Sequence, residues 1–360
     1  MITTKGTVEI NTVRNKVQQH AFNTWKKRGC RGTVVAGTGV GKSRIGVMAV
    51  EETTGKVLIV VPTVNLRDIR WKEEFTKWKL AHLYHSKRVE TICYTSLVKK
   101  ADQHYELVIL DEIHRLTERN FEFFQYNKVD KVMGLTATFP IEWEKKALVK
   151  QIAPQVFNYP LHQAQKDGVV ASFSTFLFLC NLLPAEKKAY NKADRMVTYF
   201  RARNENMHKK YLGERARVIY NSEAKQAVAK KIIDKTKNKR MLIFSGSILQ
   251  SEALCDDFYH SKSNRNGYNA FVNGDINHLS CVKALDEGED IPNVTAALVT
   301  QLSSKERSIV QRIGRAVRWE EGKKAKIYII AARDTRDMSW VETALENINY
   351  TVYNGETFFD

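Results

Sequence analysis

The chain has 360 residues, of which 43% are hydrophobic and 27% are charged, the balance of an ordinary globular protein with room for two domains. No stretch reaches the roughly 18 consecutive apolar residues of a membrane span, and the first ten residues lack the apolar core of a secretory signal. The formal net charge of +17 favours a polyanionic partner.

The five cysteines lie far apart in the sequence and form no Cys-x-x-Cys pair. This spacing argues against a zinc site, an iron–sulfur cluster or a disulfide framework. We therefore expect an intracellular, cytoplasmic protein that does not associate with membranes. The cysteines are Cys30, Cys93, Cys180, Cys255 and Cys281.

Short apolar runs bounded by turn residues alternate with longer amphipathic stretches. This alternation predicts an α/β protein with two lobes, each a parallel sheet flanked by helices. The predicted helices include Ser43–Glu52, Leu66–Lys79 and Ser247–Phe258. The predicted strands are Thr33–Ala36, Val57–Val61, Leu107–Leu110, Lys131–Thr136, Met241–Ser245, Ala296–Thr300 and Lys326–Ala331.

The turn residues near Asn158–Gly168 suggest the junction between the lobes. We therefore expect a first lobe at residues 1–158, a second lobe at 159–350 and a C-terminal tail at 351–360. A basic helical segment at 184–240 would open the second lobe. Its residues 185–240 contain 17 Lys and Arg against 6 Asp and Glu, which favours a surface that follows phosphates over merely solvated helix faces.

Aromatic residues of two helical regions have open interpretations. Trp71 and Trp78 lie seven residues apart, so they share a helix face, and core packing explains them better than base stacking. Four tyrosines of the basic segment could stack on bases or anchor helices, and the sequence favours neither. They are Tyr190, Tyr199, Tyr211 and Tyr220.

The strongest local motif follows the first predicted strand and opens a helix, the context that a phosphate-binding loop requires. Its glycines would let backbone N–H groups wrap a phosphate, and the helix N-terminus would point at the anion. We expect Lys42 to reach the β- and γ-phosphates of ATP and Ser43 to bind Mg²⁺. The expected cradle is Gly37, Thr38, Gly39, Val40, Gly41, Lys42 and Ser43.

Two adjacent carboxylates follow the buried strand Leu107–Leu110, where ligands of open α/β sheets bind. We expect Asp111 to hold Mg²⁺ and Glu112 to orient and deprotonate the attacking water. Together with the loop before Ser43, this pair predicts an ATP hydrolase.

At this point the sequence resembles a superfamily-2 helicase, because further motifs of that family occur in the family's order across nearly the whole chain. The likeness implies two tandem RecA-like lobes and an ATP-driven helicase or translocase. Gln18 stands where the family has its adenine-reading glutamine. The other matching segments are Val61-Pro62-Thr63, Tyr94-Thr95-Ser96-Leu97, Gly134–Thr138, Leu242–Ser245, Leu285–Pro292 and Gln311–Arg318.

The resemblance also implies roles for single residues. His114 would complete the carboxylate motif, and Gly288 and Asp290 would contact the nucleotide. Gln311, Arg315 and Arg318 would act in hydrolysis, the arginines stabilising the transferred phosphoryl group from the second lobe. Nucleic acid would be bound by Pro62, Thr63, Thr95, Ser96 and Ser245.

The nearest group within the superfamily comprises the restriction translocases, the XPB-like ATPases and the phage UvsW-like ATPases. The Asp111-Glu112-Ile113-His114 motif, a variant of the DEAH motif, and the segment 159–170 resemble this group. The likeness favours DNA over RNA as partner, acting in repair or recombination of branched or duplex DNA, and a protein partner could supply specificity. Alternatives are an RNA helicase, an ATPase switch or clamp without unwinding activity, and, least favoured, a metabolic kinase.

Overall fold

The computed structural model describes residues 3–282, 291, 293–301, 324–346 and 348–357. The chain forms two compact units that divide between Ala171 and Ser172. This division lies later in the sequence than the predicted boundary after residue 158. Among the described residues, no helix has the length and apolar character needed to cross a membrane.

The first unit contains a parallel sheet of six strands in the order β3-β2-β4-β5-β1-β6. Every residue of β2 is buried, as expected for a strand with both faces covered. The strands are β1 (Arg31–Ala36), β2 (Val57–Val61), β3 (Val89–Cys93), β4 (His104–Asp111), β5 (Lys128–Thr136) and β6 (Gln155–Tyr159).

Helices of the first unit connect these strands, and a π-helical turn at Leu66–Arg70 runs directly into α3. A 3₁₀ turn at Ile113–Arg115 follows β4. The α-helices are α1 (Thr3–Lys27), α2 (Lys42–Glu51), α3 (Trp71–Lys77), α4 (Ala81–Tyr84), α5 (Tyr94–Leu97), α6 (Glu118–Tyr126), α7 (Trp143–Ile152) and α8 (Leu161–Lys166).

The second unit contains a parallel sheet in which seven strands are described, in the order β13-β7-β12-β11-β8-β10-β9. Residues Tyr350–Asn354 pair with β7 inside this sheet, so the predicted tail begins within a strand. The strands are β7 (Ser172–Cys180), β8 (Met241–Phe244), β9 (Phe258–Tyr259), β10 (His278–Cys281), β11 (Ala296–Val299), β12 (Lys324–Ala332) and β13 (Tyr350–Asn354).

The basic segment is helical, as predicted, and its first two helices form an antiparallel pair, here called the helical hairpin (residues 184–220). The pair is joined by an ion pair of 2.5 Å between Arg215 and Asp194 and by stacking of Phe200 on Tyr211. The helices of this unit are α9 (Pro184–Phe200), α10 (Glu205–Tyr220), α11 (Glu223–Lys235), α12 (Ile248–Leu254), α13 (Asn266–Asn273) and α14 (Arg336–Ala344).

Each of the seven predicted strands overlaps an observed strand, although Met241–Ser245 and Ala296–Thr300 extend one residue beyond β8 and β11. The two α/β units confirm the predicted fold class. The predicted helix Ser247–Phe258 ends early, at Leu254, and Phe258 belongs to β9. The long helix α1 and several strands, among them β3, β6 and β7, were not predicted.

A fully buried ion pair connects α11 to α14 in the second unit. The Lys225 ammonium lies 2.6 Å from Asp337 Oδ2, and both side chains have no exposed surface. The same carboxylate oxygen accepts the backbone N–H of Ala332 at the end of β12, at 3.0 Å. Burial raises the pKa of Asp337 even though Lys225 and the Ala332 N–H oppose the shift.

We predict that Lys225→Met destabilises the protein by about 3–5 kcal/mol, because it leaves the Asp337 carboxyl buried without its cation. Adding Asp337→Asn should restore much of the loss, since both charges are then gone and an amide oxygen can still accept from Ala332. Denaturant-induced unfolding of the two variants measures this difference. Equal loss of stability in the single and double variants would contradict the proposed cause.

Candidate active site

A loop between β1 and the start of α2 forms the predicted phosphate cradle. Gly39 and Gly41 have positive φ angles of 92° and 91°, a conformation that glycine adopts without strain. A side chain at Gly41 would also collide with the amide of Gln18. Gly41 is the N-cap of α2 and offers no side-chain acceptor, so the first-turn N–H groups remain oriented toward an incoming anion.

Helix α1 supports the cradle from outside the motif. Gln18 is 4% exposed, and its side-chain amide donates to the carbonyl oxygen of Val40 at 2.8 Å. Arg14, one turn earlier, donates to the carbonyl oxygen of Val169 at 2.8 Å. Gln18 therefore holds the loop in shape, while its predicted contact with adenine stays a prediction.

Asp111 ends β4, and hydrogen bonds hold both oxygens of its carboxylate. The indole N–H of Trp71 donates to Oδ2 at 3.1 Å, and the backbone N–H of Glu112 donates to Oδ1 at 3.1 Å. The chain then turns through a left-handed conformation at Glu112, whose φ is 49°. This uncommon backbone angle for a non-glycine residue directs consecutive carboxylates to different partners.

The Glu112 carboxylate is surrounded by Lys42, Thr136 and His114. Its Oε1 is 4.0 Å from the ammonium of Lys42, and its Oε2 accepts from the hydroxyl of Thr136 at 3.3 Å. His114 Nδ1 is 3.4 Å from the same Oε2 and 3.1 Å from the Thr136 hydroxyl oxygen. The end of β5 is therefore tied to the carboxylate expected to act as general base.

The two carboxyl groups titrate very differently. Burial and the neighbouring charge of Glu112 raise the pKa of Asp111 to about 7. Burial also disfavours ionisation of Glu112, but Lys42 and His114 outweigh it and lower that pKa to about 2. Glu112 is thus ionised at neutral pH, as a general base must be, and a cation beside Asp111 would favour its ionised form as well.

The donor atoms of Ser43 and Asp111 suit Mg²⁺, which prefers oxygen ligands and is usually held by one or two carboxylates together with substrate phosphates. Ser43 lies in the first turn of α2, directly after Lys42. Asp111 retains free lone pairs, since each carboxylate oxygen can accept more than one bond. The chemistry of these donors therefore fits the predicted ATP-bound magnesium ion.

The residues predicted to bind nucleic acid have different surroundings. Pro62 and Thr63 directly follow β2 and are partly exposed, and Thr95 and Ser96 lie in α5 after β3. Ser245 is fully buried, and its hydroxyl lies 3.0 Å from that of Ser280, so its contact with nucleic acid stays a prediction.

Five predicted site residues lie outside the described residues, so their roles stay predictions. They are Gly288, Asp290, Gln311, Arg315 and Arg318.

Sequence reasoning did not find the contacts that Trp71 and Tyr94 make with Asp111. Trp71 was predicted to pack in the core, and it is 1% exposed, but its indole N–H also reaches the carboxylate. Tyr94 donates its hydroxyl to the Asp111 carbonyl oxygen at 3.0 Å. Spacing alone could not reveal either bond, because 40 and 17 residues separate the partners.

Two family models match the chain. The model described as type III restriction enzyme, res subunit, matches residues 11–141, and the model described as helicase conserved C-terminal domain matches residues 202–320. The first match contains the cradle, both carboxylates and Thr136, and the second covers the helical hairpin from residue 202 onward.

Individual proteins extend the comparison. The DNA 3'-5' translocase XPB2 of Sulfurisphaera tokodaii is 24% identical over 89% of this chain and 82% of its own length. The putative ATP-dependent RNA helicase QP509L of African swine fever virus is 32% identical over 28% of this chain and 23% of its own length. The structure of S. cerevisiae Dbp5 bound to RNA and ADP BeF3 has a TM-score of 0.62 and 13% identity, covering 95% of this chain and 90% of that chain.

We predict that Glu112→Gln lowers ATP turnover by about 10²–10⁴-fold, because the amide cannot accept the proton of the attacking water. Lys42→Ala should also abolish turnover through loss of phosphate binding. Steady-state phosphate release measures both effects, and binding of a fluorescent ATP analogue separates them. Near-normal turnover of a folded Glu112→Gln protein would contradict the assigned role.

Proposed function

Because the chain belongs to the superfamily-2 helicases, in the group of type III restriction subunits and XPB-like translocases, it is an ATP-hydrolysing enzyme, and we propose that it moves along DNA. ATP bound with Mg²⁺ would be the fuel. Duplex or branched DNA would be the track, in repair or recombination, and a phage origin would fit the UvsW-like features of the sequence.

The observation that carries this proposal is the shared sheet edge of the first unit. Strands β3, β2 and β4 are parallel neighbours, so the residues that follow them lie at the same edge of the sheet. Asp111 and Glu112 follow β4, whereas Pro62 and Thr63 follow β2. Thr95 and Ser96, in α5, follow β3. A nucleic acid bound to these segments would lie beside the ATP site, as coupling of hydrolysis to movement requires.

The helical hairpin offers a second surface for a polyanion. Lys188, Lys192 and Arg195 are exposed and follow one another at helical spacing, so they form a stripe on one face of α9. Tyr199 continues the stripe one turn later. From Lys188 to Tyr199 the stripe is about 16 Å long at 1.5 Å per residue. One DNA strand carries about five phosphates over that length.

The stripe ends at an aromatic side chain near the tip of the hairpin. Tyr199 is 53% exposed, and the guanidinium of Arg203 lies 4.3 Å from the centre of its ring. Exposed aromatic rings stack on bases of any sequence, and a neighbouring arginine adds affinity for phosphate. By contrast, Tyr190 is buried, so its ring is not accessible to a base. Of the four tyrosines, Tyr199 therefore suits base stacking best.

DNA is favoured over RNA because a sequence relative that matches 89% of the chain is named as a DNA translocase. The viral relative named as an RNA helicase matches a much smaller part of the chain. RNA therefore remains the second candidate track, and the following experiment separates the two.

We predict that DNA stimulates ATP hydrolysis by the wild-type protein, with one DNA form clearly superior to RNA. The measurement compares turnover without nucleic acid and with single-stranded DNA, duplex DNA, forked DNA or RNA, all at one salt concentration because phosphate contacts depend on salt. Strand displacement and displacement of a protein block then distinguish unwinding from translocation.

Stimulation by RNA alone would keep the motor and overturn DNA as its track. No stimulation by any polynucleotide would contradict the proposed motor and favour an ATPase switch controlled by a protein partner. Stimulation without strand displacement or block displacement would identify a nucleic-acid-dependent clamp.

We predict that replacing Lys188, Lys192 and Arg195 together with Gln weakens DNA binding and reduces the slope of log affinity against log salt by about two to three. The matched control replaces three exposed cations that lie before β1 or β6, at the opposite edge of the first sheet from Asp111. DNA titrations at several salt concentrations measure both slopes. Equal slopes for the two triple variants would remove the hairpin from the DNA-binding surface. The control residues are Lys27, Arg28 and Lys150.

A further inference from the structure

Two aromatic side chains converge on Asp111 from the segments proposed to bind nucleic acid. The indole N–H of Trp71 donates to the carboxylate, and the hydroxyl of Tyr94 donates to the backbone carbonyl of the same residue. Trp71 begins α3, to which Thr63 is connected by the π-helical turn, and Tyr94 is followed directly by Thr95 and Ser96. One residue of the ATP site is therefore held from both segments.

The Trp71 contact is rigid because the indole is enclosed. The side chain is 1% exposed, and its ring packs close to Gly46 of α2, where even a methyl group would collide with it. Trp71 also contacts Phe75, with ring centres 6.3 Å apart. Since α2 carries Lys42 and Ser43 in its first turn, the indole touches both the helix of the cradle and the metal-binding carboxylate.

The backbone of Tyr94 is held in place by a second hydrogen bond. Its own carbonyl oxygen accepts the side-chain amide of Asn120 at 2.9 Å, and Asn120 in turn forms the capping box of α6 with Thr117. Tyr94 is 7% exposed, so a shift of α5 must move the hydroxyl that holds Asp111 or break this bond.

The π-helical turn before Trp71 is an uncommon conformation that often occurs at functional sites.

We propose that Trp71 and Tyr94 are positioning residues that orient Asp111 toward Mg²⁺, and that nucleic acid bound at their segments strengthens the metal site through them. This inference rests on the proposed function, because it requires nucleic acid on the segments after β2 and β3. Neither aromatic side chain touches the nucleotide or the reacting atoms in this scheme.

Residues that orient a metal ligand without touching the metal have a measurable effect on metal affinity. Their loss typically weakens metal affinity or activity by about 10–100-fold. Trp71 donates to the carboxylate itself, whereas Tyr94 holds only the backbone, so we expect a larger effect from Trp71. A nucleic acid that fixes α3 and α5 would already hold Asp111 in place. Metal binding would then cost less conformational entropy, so the metal would bind more tightly.

The test uses Trp71→Phe and Tyr94→Phe, which remove the two donors and keep an aromatic ring. Trp25→Phe is the matched control for the first variant, since Trp25 is 2% exposed and its indole N–H donates to the Val132 carbonyl at 2.9 Å. Tyr159→Phe is the control for the second, because Tyr159 is also 7% exposed and its hydroxyl donates to the Asp167 carboxylate at 2.7 Å. Neither control bond involves Asp111.

The measured quantity is the affinity of Mn²⁺ in the presence of a non-hydrolysable ATP analogue, followed by electron paramagnetic resonance with and without a single-stranded DNA oligonucleotide. We expect DNA to tighten Mn²⁺ binding by the wild type. Trp71→Phe should weaken Mn²⁺ binding about 10-fold or more and lose most of the DNA effect, and Tyr94→Phe should do so to a smaller extent. Thermal unfolding checks that all variants are folded.

Mn²⁺ affinities that are equal in each variant and its control would overturn the positioning role. A DNA effect on Mn²⁺ that is absent in the wild type, or that both variants retain, would overturn the coupling. If Trp71→Phe does not fold, Tyr94→Phe and its control decide the question. Failure of the proposed function is recognised separately, because DNA would then leave the ATP turnover of the wild type unchanged.

Discussion

The candidate active site depends on burying two consecutive carboxyl groups at the end of one strand. Both lose hydration there, and each destabilises the charge of the other. The left-handed turn at Glu112 resolves this conflict by sending its carboxylate to Lys42 and His114, while Asp111 stays with Trp71. The resulting difference in pKa leaves Glu112 ionised at neutral pH, whereas Asp111 would become fully ionised with a cation beside it.

This arrangement is possible because β4 lies inside the first sheet. Its neighbours β2 and β5 contribute the segments that lead to Trp71 and Thr136, so groups distant in the sequence meet at one edge. The order of the strands therefore determines which motifs can contact one another. The single hydroxyl proton of Thr136 is shared between the Glu112 carboxylate and the carbonyl oxygen of Thr138, so a change at Glu112 would alter the contact with Thr138.

The sequence predicted what depends on local spacing, namely the cradle around Lys42, the carboxylates after β4 and most central strands. It could not predict contacts that depend on packing between distant elements. The bond between Trp71 and Asp111 and the pair Lys225–Asp337 are examples, because residue type and periodicity carry no information about such partners. The burial of Ser245 could not be predicted for the same reason, since its environment depends on β10.

The position of β13 at the border of the second sheet protects its neighbour β7, a long strand rich in phenylalanine. Tyr353 of β13 stacks on Phe178, while the outer strand is short and largely exposed. Shortening the protein before residue 350 would uncover the hydrogen-bonding groups of β7 and create a template for intermolecular strand pairing. By pairing with β7, β13 therefore protects the protein against aggregation. A fusion after residue 354 should leave β13 intact.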